Sequence, residues 1–131
     1  MMRFSAKEVA FLKKQDEARV GTVSEKGWPQ VTTVVHVFDG KNLYFAIDYG
    51  TRKHKNLLHS NKISVLVDVY ARQPMAIMIQ GKATLLEKGK EFEYAYKLLQ
   101  KRHAYYRANP FKEGEAPIVK VVPLRKSSSG F

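Results

Sequence analysis

The spacing of apolar residues along the chain changes period several times, and each change marks an element. Between residues 5 and 17, Val9, Phe11 and Leu12 follow Ser5 and Glu8, a capping-box pair, which predicts a short amphipathic helix on the outside of the domain. Residues 18–24 change character. Val20, Thr22 and Val23 are β-branched, and Gly27 and Pro29 mark the turn that follows. Residues 30–38 then read as one continuous strand. Asp39-Gly40 is a hairpin signal, and 42–47 return as the partner strand.

The second half keeps the same grammar. Ile63, Val65, Val67 and Val69 alternate with Ser64, Leu66 and Asp68, which predicts a strand with one wholly apolar face. Residues 75–86 form a long strand with Gly81 inside it, a position that suggests a bulge or a close backbone approach. Phe92, Ala95, Tyr96, Leu99, His103 and Tyr106 recur three and four apart, so residues 90–107 read as one helix laid on the sheet. Residues 116–124 read as a last strand, and the serine-rich tail 125–131 as either frayed or held by another part of an assembly. Six strands with tight connections imply a mainly β domain, an antiparallel sheet closed into a barrel with peripheral α-helices, because an open sheet of this kind leaves unpaired edges. No repeat or linker divides the chain, so residues 1–131 read as one domain.

Composition narrows the chemistry. The chain has 131 residues, enough to bury a core, and no cysteine, which removes disulfides, thiolate metal sites and cysteine nucleophiles. No apolar run has the length of a signal peptide or a bilayer span, so a cytoplasmic protein without a membrane role is the expectation. The formal net charge of +11 favours polyanions, phosphorylated ligands or acidic surfaces without choosing among them.

The charge has one place where its cost is evident. After the strand Leu43-Tyr44-Phe45-Ala46-Ile47, Gly50 permits a sharp turn, Thr51 can cap a helix, and Arg52, Lys53 and Lys55 crowd its first turn. Unpaired N–H groups and the helix dipole already make that end positive, so each added cation costs roughly 0.3–1 kcal/mol at an exposed site unless an anion is present. A phosphate would collect the backbone donors, the Thr51 hydroxyl and the cationic side chains together. The plainer alternative is a solvated basic turn.

The order Arg19-Val20-Gly21-Thr22-Val23, Gly27-x-Pro29-x-Val31-Thr32, Leu43-Tyr44-Phe45, Gly50-Thr51-Arg52-Lys53-x-x-Asn56-Leu57, Ile63-Ser64-Val65-Leu66-Val67-Asp68 and Gly81-Lys82-Ala83 resembles the pyridoxamine 5'-phosphate oxidase-like family of FMN-binding split β-barrels. The resemblance covers residues 5–122. It implies a homodimer with flavin at the subunit interface and a small-molecule substrate, with Arg52 and Lys53 on the flavin phosphate. It also implies that Val31, Thr32 and Thr33 of the second strand face the ring and ribityl chain, and that Ala46 and Ile47 contribute at the end of the third. Thr32 and Thr33 are equally ordinary strand residues, and Ala46 and Ile47 are suited to core packing with backbone contacts only. The tail Ser127-Ser128-Ser129-Gly130-Phe131 lacks the arginine and tryptophan positions of true pyridoxamine-phosphate oxidases, so vitamin oxidation is not expected.

A flavin carries its own redox chemistry, which agrees with a chain that offers no triad, carboxylate pair or metal-ligand spacing among His36, His54, His59 and His103; no residue is assigned a catalytic role. Two alternatives stand beside FMN. The deazaflavin F420 could use Lys55, Lys41 and Arg72 for its anionic tail. A non-enzymatic barrel could bind single-stranded nucleic acid through the cations and aromatics of residues 97–107, although Leu99, His103 and Tyr106 are there better read as facing the sheet.

Overall fold

The computed structural model describes residues 2–131. The elements in chain order are α1 (Ala6–Lys14), β1 (Glu17–Val23), β2 (Pro29–Val35), β3 (Val37–Phe38), β4 (Leu43–Ala46), α2 (Arg52–His59), β5 (Lys62–Val69), β6 (Met75–Leu86), α3 (Lys90–Arg102), α4 (Ala104–Ala108) and β7 (Ile118–Ser129). The strands form a seven-stranded sheet in the order β2-β1-β5-β6-β7-β4-β3, with every pairing antiparallel.

That order explains how the sheet closes. β2 and β3 lie at opposite edges yet are separated by a single residue, His36, so the sheet curls until its two ends meet at one point of the chain. The sequence predicts one strand over 30–38, and this is where the count rises from six to seven. His36 gives its backbone N–H to Asp16 O (3.0 Å), leaving Pro29–Val35 to pair with β1 and Val37–Phe38 to pair with β4.

Inside the curl, alternate residues of the strands form one apolar cluster that includes Val20, Phe45, Val65, Ile77, Ile79 and Val121, closed at one end by Phe11 and Leu12 of α1. A second cluster forms outside, where Phe92, Ala95 and Leu99 of α3 pack with Tyr44, Leu86, Tyr106 and Ile118. The predicted bulge is present. The β6–β7 register shifts between Gln80 and Gly81, and a Cβ at Gly81 would collide with the Val122 carbonyl.

Two expectations change. The helix predicted over 90–107 breaks at His103, whose backbone is extended (φ −121°, ψ 120°) while its ring turns inward. The last strand runs past residue 124 to Ser129, with Ala76 opposite Ser129 and Ile79 opposite Lys126, so the tail is held by β6 of its own chain. It is fastened to α1 as well. Lys126 pairs with the buried carboxylate of Glu8, which also completes the capping box with Ser5, and Phe131 stands edge-on to Phe11. Among the described residues, no helix is long and apolar enough to cross a membrane.

Candidate functional site

β4 delivers the chain to a tightly fixed turn. Ile47 N–H donates to Pro117 O (3.1 Å), and Gly50 takes φ 80°, which a side chain would oppose. Thr51 then caps α2: its hydroxyl accepts from His54 N (3.3 Å) and donates to Asp48 O (3.0 Å). Gly50 N–H is also engaged, donating to His54 Nδ1 (3.1 Å), and the Tyr49 ring stands edge-on to His54. These bonds revise one expectation about phosphate binding. The Thr51 hydroxyl is committed to shaping the helix start, which leaves the Arg52 and Lys53 N–H groups as the donors without intrahelical partners.

The electrostatics follow from that geometry. The first turn of α2 contains no acidic residue. Among the described residues neither Arg52 nor Lys53 forms an ion pair. Arg52 is exposed, whereas Lys53 is partly buried, with its Nζ 6.0 Å from the centre of the Phe45 ring. Burial pushes the Lys53 ammonium below its ordinary range, and Asp48 only partly opposes the shift.

β2 forms the facing wall. Between it and α2 lies a cleft of about 360 Å³ lined by Thr32, Thr33, Ala46, Ile47, Thr51, Arg52 and Lys53, with Gln30, Val34, Val35 and Asp48. Thus seven of the eight residues singled out in the sequence come together. The eighth, Val31, points to the opposite face. It is 68% exposed and borders a separate depression with Gly21, Ser64 and Lys82. In the cleft wall, Thr32 Oγ1 is buried without a hydrogen-bond partner, which costs about 1–3 kcal/mol if nothing ever satisfies it.

Sequence reading missed two neighbours of this cleft. Asn56 is buried and donates through Nδ2 to Thr22 Oγ1 (3.0 Å) and Gln30 Oε1 (3.2 Å), bracing α2 against β1 and β2. The signal was an amide on the inner side of a very polar helix, next to Leu57. Gln30 could have been found from its two-residue offset to Thr32 on the same strand face.

Other candidate residues lie elsewhere. Lys41 borders a small cavity with Phe4 and Leu124, and neither Lys55 nor Arg72 lines the cleft. Leu99 of α3, Tyr106 of α4 and His103 between them are buried. Arg102 is held by Lys14 O and Asp16, and Arg107 by Gln100 O and Lys101 O. Those guanidinium groups serve as structural ties. Asp68 pairs with Arg19, and Glu87 accepts from Tyr49 Oη. Among the described residues no three His, Asp or Glu side chains gather as a metal site.

The family described as Pyridoxamine 5'-phosphate oxidase matches residues 4–124. No curated protein matches the sequence. Of solved structures, HutZ, the heme storage protein from Vibrio cholerae, aligns with a TM-score of 0.85 at 16% identity, over 99% of this chain and 97% of that one. A conserved hypothetical protein from Mycobacterium tuberculosis gives a TM-score of 0.81 at 16% identity, over 99% and 86%. A heme binding protein from Mycobacterium smegmatis gives 0.77 at 16% identity, over 99% of this chain but 60% of that one. At such identities the likeness is one of fold.

Proposed function

The chain belongs to the pyridoxamine 5'-phosphate oxidase family, and from that premise we propose that it binds FMN in the cleft between β2 and α2 and acts as an oxidoreductase on a small molecule. One observation carries this reading: Lys53 is a partly buried cation at a helix N-terminus, beside Arg52, with no acid in that turn. A phosphate dianion there would balance both side chains and take up the free N–H groups. The unpartnered Thr32 hydroxyl fits the same ligand once its side chain turns toward the cleft, since a flavin carries polyol and ring acceptors along its length. Thr33, Ala46 and Ile47 bound the remaining wall.

When bound, the flavin supplies hydride or single-electron transfer, while this chain binds it, orients it and excludes water. A second copy completes the site in this reading. The outer sheet face exposes Val23, Val31 and Leu124 around a depression of about 630 Å³ that Lys62, Lys82 and Arg125 also border, a surface with an apolar centre suited to a homodimer contact. F420 receives less support, because its three suggested cations do not line the cleft of a single chain.

Heme is the competing ligand, since two proteins of like fold are named for it. An absorption spectrum of the freshly purified protein, with mass analysis of what denaturation releases, separates the readings. The paired bands of an oxidised flavin and the mass of FMN are expected. A Soret band, or colourless protein that does not take up FMN, overturns the proposal.

A further inference from the structure

A second space adjoins the cleft at Arg52. This compartment measures about 550 Å³, and Gln30 and Arg52 line both spaces. Its outer wall is the β1–β2 hairpin, where Ser24 N–H donates to Trp28 O (2.9 Å) and Trp28 N–H donates to Ser24 Oγ (3.0 Å). The sole tryptophan is therefore fixed through its backbone while its side chain stands in solvent, 74% exposed. Its inner wall is the Asn56 brace. Asn56 is 2% exposed and engages the side-chain oxygen of Gln30, so the group Gln30 has left to offer is its amide NH₂ donor. Lys26 and Glu25 complete the rim.

A flat aromatic surface, two donors beside it and a wall shared with the phosphate corner make up the recognition set of a nucleotide joined through phosphate to the first ligand. We propose that this compartment receives the adenylate half of a flavin dinucleotide, FAD, whose FMN half occupies the first cleft; the inference rests on the flavin reading above. The purine stacks on Trp28, the second phosphate lies beside Arg52 and the Gln30 amide, and the Glu25 carboxylate is an acceptor for the exocyclic amine.

The test is titration of the full chain and of Trp28→Ala with FMN, FAD and ADP. Flavin quenching is read for the first two and tryptophan emission of the unsubstituted protein for the third. FAD is expected to bind about 10-fold tighter than FMN, the gain in affinity that one stacked base brings. Trp28→Ala should erase that advantage and leave FMN unchanged, and ADP should quench the tryptophan saturably. Equal affinity for FAD and FMN in the unsubstituted protein, or an equal loss of both in the variant, overturns the inference while the flavin reading stands. If neither flavin binds, both fall together. Trp28→Ala that instead lowers the mass of the assembly in solution reassigns Trp28 to a subunit contact and also overturns it.

Discussion

His103 donates through Nε2 to the backbone carbonyl of His36, 2.6 Å away, at the one residue where the two edges of the sheet meet. The bond ties the end of α3 to the closure of the barrel. It also accounts for the helix break, because an inward-facing ring at residue 103 requires the extended backbone found there. His36 contributes only backbone to this arrangement; its own ring is buried, with the Gln15 backbone as a polar neighbour.

His103→Ala should therefore loosen the closure. The loss combines a buried hydrogen bond, an unsatisfied His36 carbonyl and a small cavity, about 3 kcal/mol in all. Chemical denaturation followed by far-ultraviolet circular dichroism would read it. His103→Gln, which keeps a donor, should recover part of the loss, and equal destabilisation by both variants would remove the hydrogen bond from the account.

Acid sensitivity should centre on His36. Burial, then the neighbouring His103, pushes it from 6.5 down to about 4 against a hydrogen bond with the Gln15 backbone that raises it; Arg102 and Asp16 act on it in opposite directions. The folded state holds the ring neutral while the unfolded chain takes up a proton near its ordinary value. The contribution of His36 is thus complete above pH 6.5, falls as pH drops from 6.5 to about 4, and levels below that, where the lowered carboxyls of Glu8 and Asp39 continue the loss. At about 1.4 kcal/mol per pKa unit, the loss approaches about 3 kcal/mol. In His36→Leu the difference in unfolding free energy, from urea titrations at pH 7 and near pH 4, should shrink by a comparable amount. An unchanged difference would assign the acid sensitivity to other groups.

Lys53→Ala and Arg52→Ala separate phosphate binding from general damage to the cleft. Each charge-assisted bond to phosphate is worth about 1.5–3 kcal/mol, so each variant should weaken FMN roughly 10- to 100-fold. Riboflavin, which lacks the phosphate, should bind both variants about as well as it binds the unsubstituted protein. Equal losses for the two ligands would place the phosphate elsewhere.

Much of this was legible in the chain because it is local. The Ser5–Glu8 capping box, the apolar alternation of β5, the Gly81 bulge and the basic turn after Gly50 are written within a few residues of one another. What escaped depends on distant partners. The break at His36 is set by Asp16 and by the strands on either edge, and nothing within residues 30–38 announces it. The break at His103 depends on His36, and the ordering of residues 125–129 depends on β6 and the Glu8–Lys126 pair. In the site, cations beside a glycine turn were visible as a local conflict of charge. The Thr22–Asn56–Gln30 brace spans three elements, so no one stretch of sequence displayed it.

Thr32 offers a test in which stability and binding should move in opposite directions. With nothing bound, its buried hydroxyl has no partner, so the nearly isosteric Thr32→Val removes an unmet polar group and should raise the stability of the ligand-free protein by about 1 kcal/mol. With flavin present and the Thr32 side chain turned toward it, the same change deletes a donor and should weaken FMN by about 5- to 10-fold, the worth of one ordinary hydrogen bond. Thermal unfolding with and without FMN reads both effects at once. The ligand-free midpoint should rise while the upward shift on adding FMN contracts. A variant that is less stable without ligand and binds FMN as before would show that the hydroxyl serves the fold, and would remove Thr32 from the flavin contacts.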